Sequence, residues 1–235
     1  LAAVGSNGSL VFLIISMFNG LSIGSNVLVA RYRGRGDEDM ISDVVHPSVA
    51  FAIFGGIFLV FFGSFIAPRL LLLMSVPADV LPLSTMYLRI YFLGVPFMLL
   101  YNFGASILRS KGDTKRPMWF LIISGALNVI LNLIFVIGFK MSVAGVAIAT
   151  VLSQALSAVL VIIALLKSND ATKLHFSKLG LDKQLTWEIL KIGIPAGIQG
   201  CVFSISNTVI QSSINSFNSS TIVAGISAGG NIENF

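Results

Sequence analysis

Long apolar runs separated by short polar loops are the feature that most restricts the fold of this chain. The run 118–138 has the length of a membrane-spanning helix, because about 1.5 Å of rise per residue carries it across a hydrocarbon core of roughly 30 Å. Similar runs occur at 8–30, 47–74, 83–108, 144–166 and 192–217, and a last one begins at 222. Charged residues make up only 11% of the chain, against about 25% in soluble domains. We therefore predict an all-α fold, a polytopic transmembrane helical bundle.

Several functional classes are disfavoured by what the sequence lacks. The net charge of +5 comes from basic residues in short loops, so we expect no nucleic-acid partner. Cys201 is the only cysteine, which excludes a disulfide or a cysteine metal cluster within the chain. The apolar runs contain no histidine, no paired carboxylates and no Ser-His-Asp set. We therefore predict that the protein is not an enzyme and has neither a cofactor nor a metal site.

The distribution of basic residues predicts the orientation in the membrane. Twelve of the 15 Lys and Arg residues lie in the loops after the first, third and fifth runs. They are Arg31, Arg33, Arg35, Arg109, Lys111, Lys115, Arg116, Lys167, Lys173, Lys178, Lys183 and Lys191. The positive-inside rule makes these loops cytoplasmic and places Leu1 on the outer side. The chain begins without a methionine or a charged leader, and we interpret it as a fragment.

The polar stretch 167–191 predicts the domain organisation. It holds five lysines, together with His175 and Trp187, and is the best candidate for a cytoplasmic linker. We expect an N-terminal bundle at 1–166 and the start of a C-terminal bundle at 192–235. The end of the linker, 185–191, could form a short helix on the membrane surface with Trp187 at the depth of the headgroups.

A weak internal repeat supports two related halves. Ala3, Ser6 and Gly8 recur as Ala224, Ser227 and Gly229, an offset of 221 residues. Both stretches enter the membrane from the outer side. Repeated halves place a substrate site between them near the middle of the membrane, as in many secondary transporters.

Polar side chains form stripes on otherwise apolar helices. The stripes, at spacings of three, four and seven residues, comprise Asn19, Ser22 and Asn26, then Asn128 and Asn132, then Thr150, Ser153, Gln154 and Ser157, then Gly200, Ser204, Asn207 and Gln211. Each stripe either lines a cavity or holds helices together, an interaction worth about 0.6–2 kcal/mol. Glu233 is the only carboxylate within an apolar run, so it is either a coupling residue or an interfacial one.

Three motifs in the centre of the chain carry a family resemblance. They are ILRSKGDTKRP at 107–117, NVILN at 128–132 and AGVAIATVLSQ at 144–154. Supporting pieces are ARYRGRGD at 30–37, GIPAGIQ at 193–199 and the stretch 224–233. Together they resemble the multidrug and toxic compound extrusion (MATE) family. The resemblance implies twelve helices in two six-helix bundles, of which this chain supplies helices two through seven and part of eight.

The same resemblance implies a cation site. Many bacterial members have an Asn and an Asp four residues apart on helix five and a Thr on helix six, with a further Asp on helix one. Asn128 and Thr150 match this pattern, whereas Asn132 stands where many members have Asp. An amide supplies a carbonyl oxygen to Na⁺ but does not carry a proton between pH 5 and 8. Helix one would lie upstream of Leu1, and the Glu that other members have on helix seven has no counterpart in 192–217.

The resemblance implies a cation-coupled antiporter of the cell membrane. The resemblance implies that a proton or Na⁺ moves inward while drug-like, often cationic or amphipathic compounds move out by alternating access. Candidate coupling residues are Asn128, Asn132, Thr150 and Glu233, and candidate cavity residues are Asn19, Asn26, Gln154, Asn207 and Gln211. We expect small-molecule substrates, the lipid bilayer as surroundings, and a monomer at full length. The alternative is a flippase for lipid-linked precursors or polysaccharides, which would need a larger and more basic cavity formed with Arg89 and Arg109.

Overall fold

The computed structural model describes residues 2–73 and 81–215, and these are almost entirely helical. The helices are α1 (Ala2–Gly34), α2 (Glu38–Leu73), α3 (Leu81–Ser110), α4 (Lys115–Asn132), α5 (Ser142–Leu166) and α6 (Lys183–Asn215). A π-helical segment, Leu133–Gly138, continues α4, and a short 3₁₀ helix occupies Phe176–Lys178. No strand occurs in the described ranges. The predicted all-α fold is confirmed.

Four segments of this structure are long and apolar enough to cross a membrane. They are Glu38–Arg69, Leu81–Ser110, Lys115–Gly138 and Ser142–Leu166. The protein is therefore a multi-pass membrane protein, as the apolar runs predict. Phenylalanines on α2 point away from the bundle, and Phe61 is 73% exposed. Such a surface is suited to lipid contact.

Two corners, between α1 and α2 and between α3 and α4, are built in the same way. α1 ends before Gly36, which has φ +71°, and α3 ends before Gly112, which has φ +84°. Glycine adopts this left-handed conformation without steric cost. The next residue in each corner is an aspartate that accepts a backbone N–H of the following helix: Asp37 Oδ1 lies 3.1 Å from Met40 N, and Asp113 Oδ1 lies 3.2 Å from Arg116 N. Each Gly-Asp pair thus ends one helix and starts the next.

α3 forms the centre of the bundle. It packs against α1, α2 and α5, and its side chains Leu88, Leu99 and Phe103 are fully buried. α4 lies at the periphery, where only Pro117 and Ser124 are buried. This arrangement leaves one face of α4 for α5 and the other faces for the surrounding lipid.

α6 begins at Lys183, inside the stretch predicted as linker. Asp182 starts the helix, because its Oδ1 accepts the Leu185 N–H at 2.8 Å and its carbonyl accepts the Thr186 N–H at 2.9 Å. Residues 183–191 are therefore the first turns of a continuous helix, in place of a separate surface helix. The irregular connection runs from Lys167 to Asp182.

Glycines allow α6 to pack directly on α1. A Cβ atom added to Gly20 would lie 2.1 Å from the backbone nitrogen of Gly197, and one added to Gly193 would lie 2.7 Å from Cα of Leu21. Both distances are shorter than any real contact. Gly20 and Gly24 on α1, and Gly193 and Gly197 on α6, follow the four-residue spacing that brings membrane helices into backbone contact. We call these four residues the glycine seam.

Candidate functional site

A polar cavity lies between α4 and α5, within the apolar part of the bundle. Its volume is about 280 Å³. The polar side chains lining it are Ser124, Asn128, Thr150, Ser153, Gln154 and Ser157. Three of them are predicted site residues, namely Asn128, Thr150 and Gln154. Every one of these polar groups is a neutral amide or hydroxyl.

The two asparagines of α4 form a hydrogen-bonded chain that leads into α5. Asn132 Nδ2 donates to Asn128 Oδ1 at 3.0 Å, and Asn128 Nδ2 donates to Ser153 Oγ at 3.2 Å. Asn132 Oδ1 is left buried without a hydrogen-bond partner. Asn132 is also the last residue of α4 before the π-helical segment, and such wide turns occur often at functional sites.

A second unpartnered oxygen belongs to Gln154. Its Oε1 is buried without a hydrogen-bond partner. This oxygen lies against Gly94 of α3, so closely that a Cβ atom added to the glycine would be 2.3 Å from it. Tyr91 of α3 also interacts with Gln154, but its hydroxyl donates to Met98 Sδ at 3.9 Å. A buried unpaired carbonyl costs about 1–3 kcal/mol, so a cation or a hydrogen-bond donor that binds this oxygen would recover that energy.

The hydroxyls of α5 are oriented by its own backbone. Thr150 Oγ1 donates to the Val146 carbonyl and Ser153 Oγ donates to the Thr150 carbonyl, both at 2.9 Å. Their protons are thus directed toward the helix, and the oxygen lone pairs remain for other donors or a cation. The site offers oxygen ligands of the kind that hard cations prefer.

The other predicted site residues lie elsewhere. Asn26 Nδ2 donates to the Ser106 carbonyl of α3 at 2.8 Å, so this amide joins two helices. Asn19 is exposed on α1. Asn207 and Gln211 lie in α6, at positions whose side chains are outside the described part of the structure, and Glu233 lies outside the described residues altogether.

Ser124 is a site residue that the sequence reasoning missed. It is buried, and its hydroxyl donates to the Phe120 carbonyl. It precedes Asn128 by four residues and so shares its face of α4. That spacing is the signal by which it could have been found.

A second polar cluster, also missed, binds the linker to the C-terminal ends of α1 and α3. The Asp170 carboxylate forms ion pairs with Arg33 and Lys111, in which its Oδ2 lies 3.1 Å from Arg33 Nη2 and 3.3 Å from Lys111 Nζ. The Thr172 hydroxyl also donates a hydrogen bond to this carboxylate. Partial burial alone would raise the pKa of Asp170, but the hydrogen bonds from Thr172 and Arg33 and the charge of Lys111 outweigh it and lower the pKa to about 2. Arg33 and Asp170 are 137 residues apart in the chain, and no pattern in the sequence predicts their contact.

Another linker contact involves two histidines. His46 of α2 is buried, and its Nδ1 lies 2.6 Å from the Ser42 carbonyl. Its Nε2 lies 3.1 Å from the backbone nitrogen of His175. Nε2 must accept that N–H, so Nδ1 carries the proton and donates to Ser42. Within the described residues, no group of three or more His, Cys, Asp or Glu side chains could hold a metal ion.

Comparison with known proteins identifies the family. The MatE family model matches residues 1–134, more than half of the chain. The chain belongs to the MatE family. This confirms the resemblance drawn from the central motifs.

Curated relatives of this MatE chain are bacterial multidrug proteins. It is 33% identical to the probable multidrug resistance protein YoeA of Bacillus subtilis (strain 168), over 95% of this chain and 50% of the relative. It is 26% identical to the multidrug export protein MepA of Staphylococcus aureus (strain bovine RF122 / ET3-1), over 85% of this chain and 44% of the relative. The chain spans about half the length of the curated relatives it matches.

Solved structures show the same fold. An inward-facing multidrug resistance MATE family transporter matches 90% of this MatE chain with a TM-score of 0.82 at 24% identity, and the match covers 48% of that chain. A MOP superfamily transporter from Pyrococcus furiosus matches 99% with a TM-score of 0.88, also at 24% identity, and the match covers 52% of that chain. At this level of identity, the likeness concerns the fold alone.

Proposed function

We propose that the full-length protein is a cation-coupled antiporter that exports drug-like, often cationic or amphipathic compounds by alternating access. The MatE family membership and the names of the relatives, multidrug resistance and multidrug export proteins, support export of such compounds. The polar cavity between α4 and α5 supports coupling to a cation. The bacterial cell membrane is the proposed location, and the protein would work as a monomer on small-molecule substrates.

The observation that carries the coupling proposal is the pair of unpartnered amide oxygens. Asn132 Oδ1 and Gln154 Oε1 are buried without a hydrogen-bond partner, and none of the described residues that line the cavity has a charged side chain. Neutral oxygens fit Na⁺, which would satisfy them and gain ligands from Asn128 and Thr150. Proton coupling would need a carboxylate from another part of the protein, such as Glu233 or an acid on helix one.

The described residues offer no comparable support for the flippase alternative. Arg89 is exposed and its Nε lies 3.4 Å from the Ser64 carbonyl. Arg109 is also exposed and donates to Ser106 Oγ at 3.3 Å. Neither arginine lines the cavity between α4 and α5. The described part of that cavity is therefore neutral, whereas a lipid-linked phosphate would need a basic one.

Efflux driven by a sodium gradient tests this proposal. The full-length protein is reconstituted in proteoliposomes, and export of the fluorescent cation ethidium is followed. Asn128→Leu removes the amide that links α4 to Ser153, so sodium-driven efflux should fall at least tenfold while membrane insertion is retained. Asn169→Leu, the same change at an exposed residue of the linker, is the matched control and should export normally. Unchanged efflux in Asn128→Leu would remove the cavity from the mechanism.

A further inference from the structure

An apolar groove separate from the α4/α5 cavity opens where α2, the linker and α6 meet. Its volume is about 440 Å³. The lining residues are Phe51, Leu181, Lys183, Thr186, Trp187 and Leu190. Four of the six are large apolar side chains, and Lys183 is the only charged one. None of them belongs to the proposed cation site.

The groove lies at the cytoplasmic boundary of the membrane. Lys183 begins α6 directly after the polar linker, and the abundance of basic residues in that linker places it in the cytoplasm. Trp187 lies one turn further along the helix and is 62% exposed. An exposed tryptophan at this position is typical of the headgroup region. Phe51 of α2 lines the same groove as Trp187, one turn after the predicted start of the apolar run at 47.

The polar groups of the groove suit an anion. The Lys183 side chain is exposed, and no ion pair to it is formed among the described residues. The Thr186 hydroxyl oxygen is buried without a hydrogen-bond partner, although its backbone N–H is used in the first turn of the helix. Asp182 is the nearest acid in sequence, and its Oδ1 is engaged by the Leu185 N–H at 2.8 Å. A cationic side chain and a free hydroxyl thus stand beside an apolar surface.

We propose that this groove binds one anionic phospholipid from the cytoplasmic leaflet. The acyl chain lies along Phe51, Trp187 and Leu190, and the phosphate binds the Lys183 ammonium. The Thr186 hydroxyl donates to an oxygen of the headgroup or of the ester linkage. A phospholipid fits better than a free phosphate, because most of the lining is apolar. The bound lipid would bridge α2 and α6 at the point where the linker joins the second half.

Quenching of tryptophan fluorescence by brominated lipids tests the proposal without requiring transport. In the full-length protein, Trp119 and every tryptophan other than Trp187 are replaced by Phe. The protein is reconstituted in phosphatidylcholine vesicles that contain either brominated phosphatidylglycerol or brominated phosphatidylcholine at the same mole fraction. We expect the quenching of Trp187 to show that the groove binds phosphatidylglycerol about fivefold more strongly than phosphatidylcholine. One lysine near an anionic headgroup provides a preference of this size.

Three variants separate a built site from general attraction to an anionic surface. Lys183→Gln should reduce the preference to about one, and Thr186→Val should lower it while keeping the charge. Lys191→Gln removes a charge from an exposed residue of the same helix that does not line the groove, so it should keep the preference. Equal quenching by the two lipids in the parent protein would overturn the proposal. So would an equal loss in Lys183→Gln and Lys191→Gln, because the attraction would then belong to the surface as a whole.

Discussion

Asn132 donates a hydrogen bond to Asn128 of the α4/α5 cavity and limits which ion the proposed cation site could use. Its amide cannot titrate, and its Oδ1 is buried and unpaired. Asn132→Asp places a carboxylate at that position, so export should become dependent on pH, with the rate falling as the new acid is protonated. The measurement is the pH profile of ethidium efflux in proteoliposomes between pH 5 and 8. Asn169→Asp is the matched control in the exposed linker. Superimposable profiles for Asn132→Asp and the parent would contradict the assignment.

The Asp170 carboxylate should make the stability of the fold decrease at acidic pH. Its pKa falls from 3.8 to about 2 on folding, so its contribution is complete above pH 4 and is lost as the pH falls toward 2. Asp170→Asn should cost roughly 1 kcal/mol at pH 7, since solvent screens this partly exposed carboxylate. Thermal unfolding in detergent would measure this difference, which should shrink between pH 4 and pH 2. A difference that stays constant over that range would show that the ion pairs do not stabilise the fold.

The polar residues of the site could be predicted from spacing, but their partners could not. The four-residue interval places Asn128 and Asn132 on one face of α4, and the stripe on α5 places Thr150 and Gln154 likewise. These two faces meet because α4 packs on α5. The periodicity of the sequence does not predict which helices pack together. The contact of Asp170 with Arg33 was unforeseen for the same reason.

Among the helices, the glycine seam determines how closely α6 approaches α1. Gly20→Ala inserts a Cβ atom into the backbone of α6, which should destabilise the protein by about 1–3 kcal/mol. Gly55→Ala on α2 is the matched control, because the nearest atoms to its added Cβ lie 4.0 Å away. It should be neutral or stabilising by up to about 1 kcal/mol. Unfolding by denaturant in detergent measures both variants, and equal effects would show that the seam is not close-packed.

The helices themselves were largely predictable, and their ends less so. Apolar runs marked α2, α3 and α5 because a membrane requires about 20 apolar residues per helix. The start of α6 was missed, since its first turns are polar and depend on Asp182 as a cap. Apolarity marks the part of a helix that lies in lipid, and the hydrogen bonds of capping residues mark where the helix begins.

For the whole molecule, the proposed cation site lies between α4 and α5, apart from the glycine seam between α1 and α6. The glycines of the seam lie against the backbone of the facing helix, and the linker is held to α1 and α3 by Asp170 and to α2 by His46. Under the proposed function, the seam would lie where the two halves move against each other during alternating access.

Direct binding of radioactive sodium to the purified full-length protein tests the central claim, that neutral oxygens between α4 and α5 hold the coupling cation. The account predicts saturable binding in the parent protein and in Asn169→Leu, and loss of that binding in Asn128→Leu with the folded protein recovered in normal yield. Saturable binding of equal affinity in Asn128→Leu, or no sodium binding in the parent protein, would contradict it.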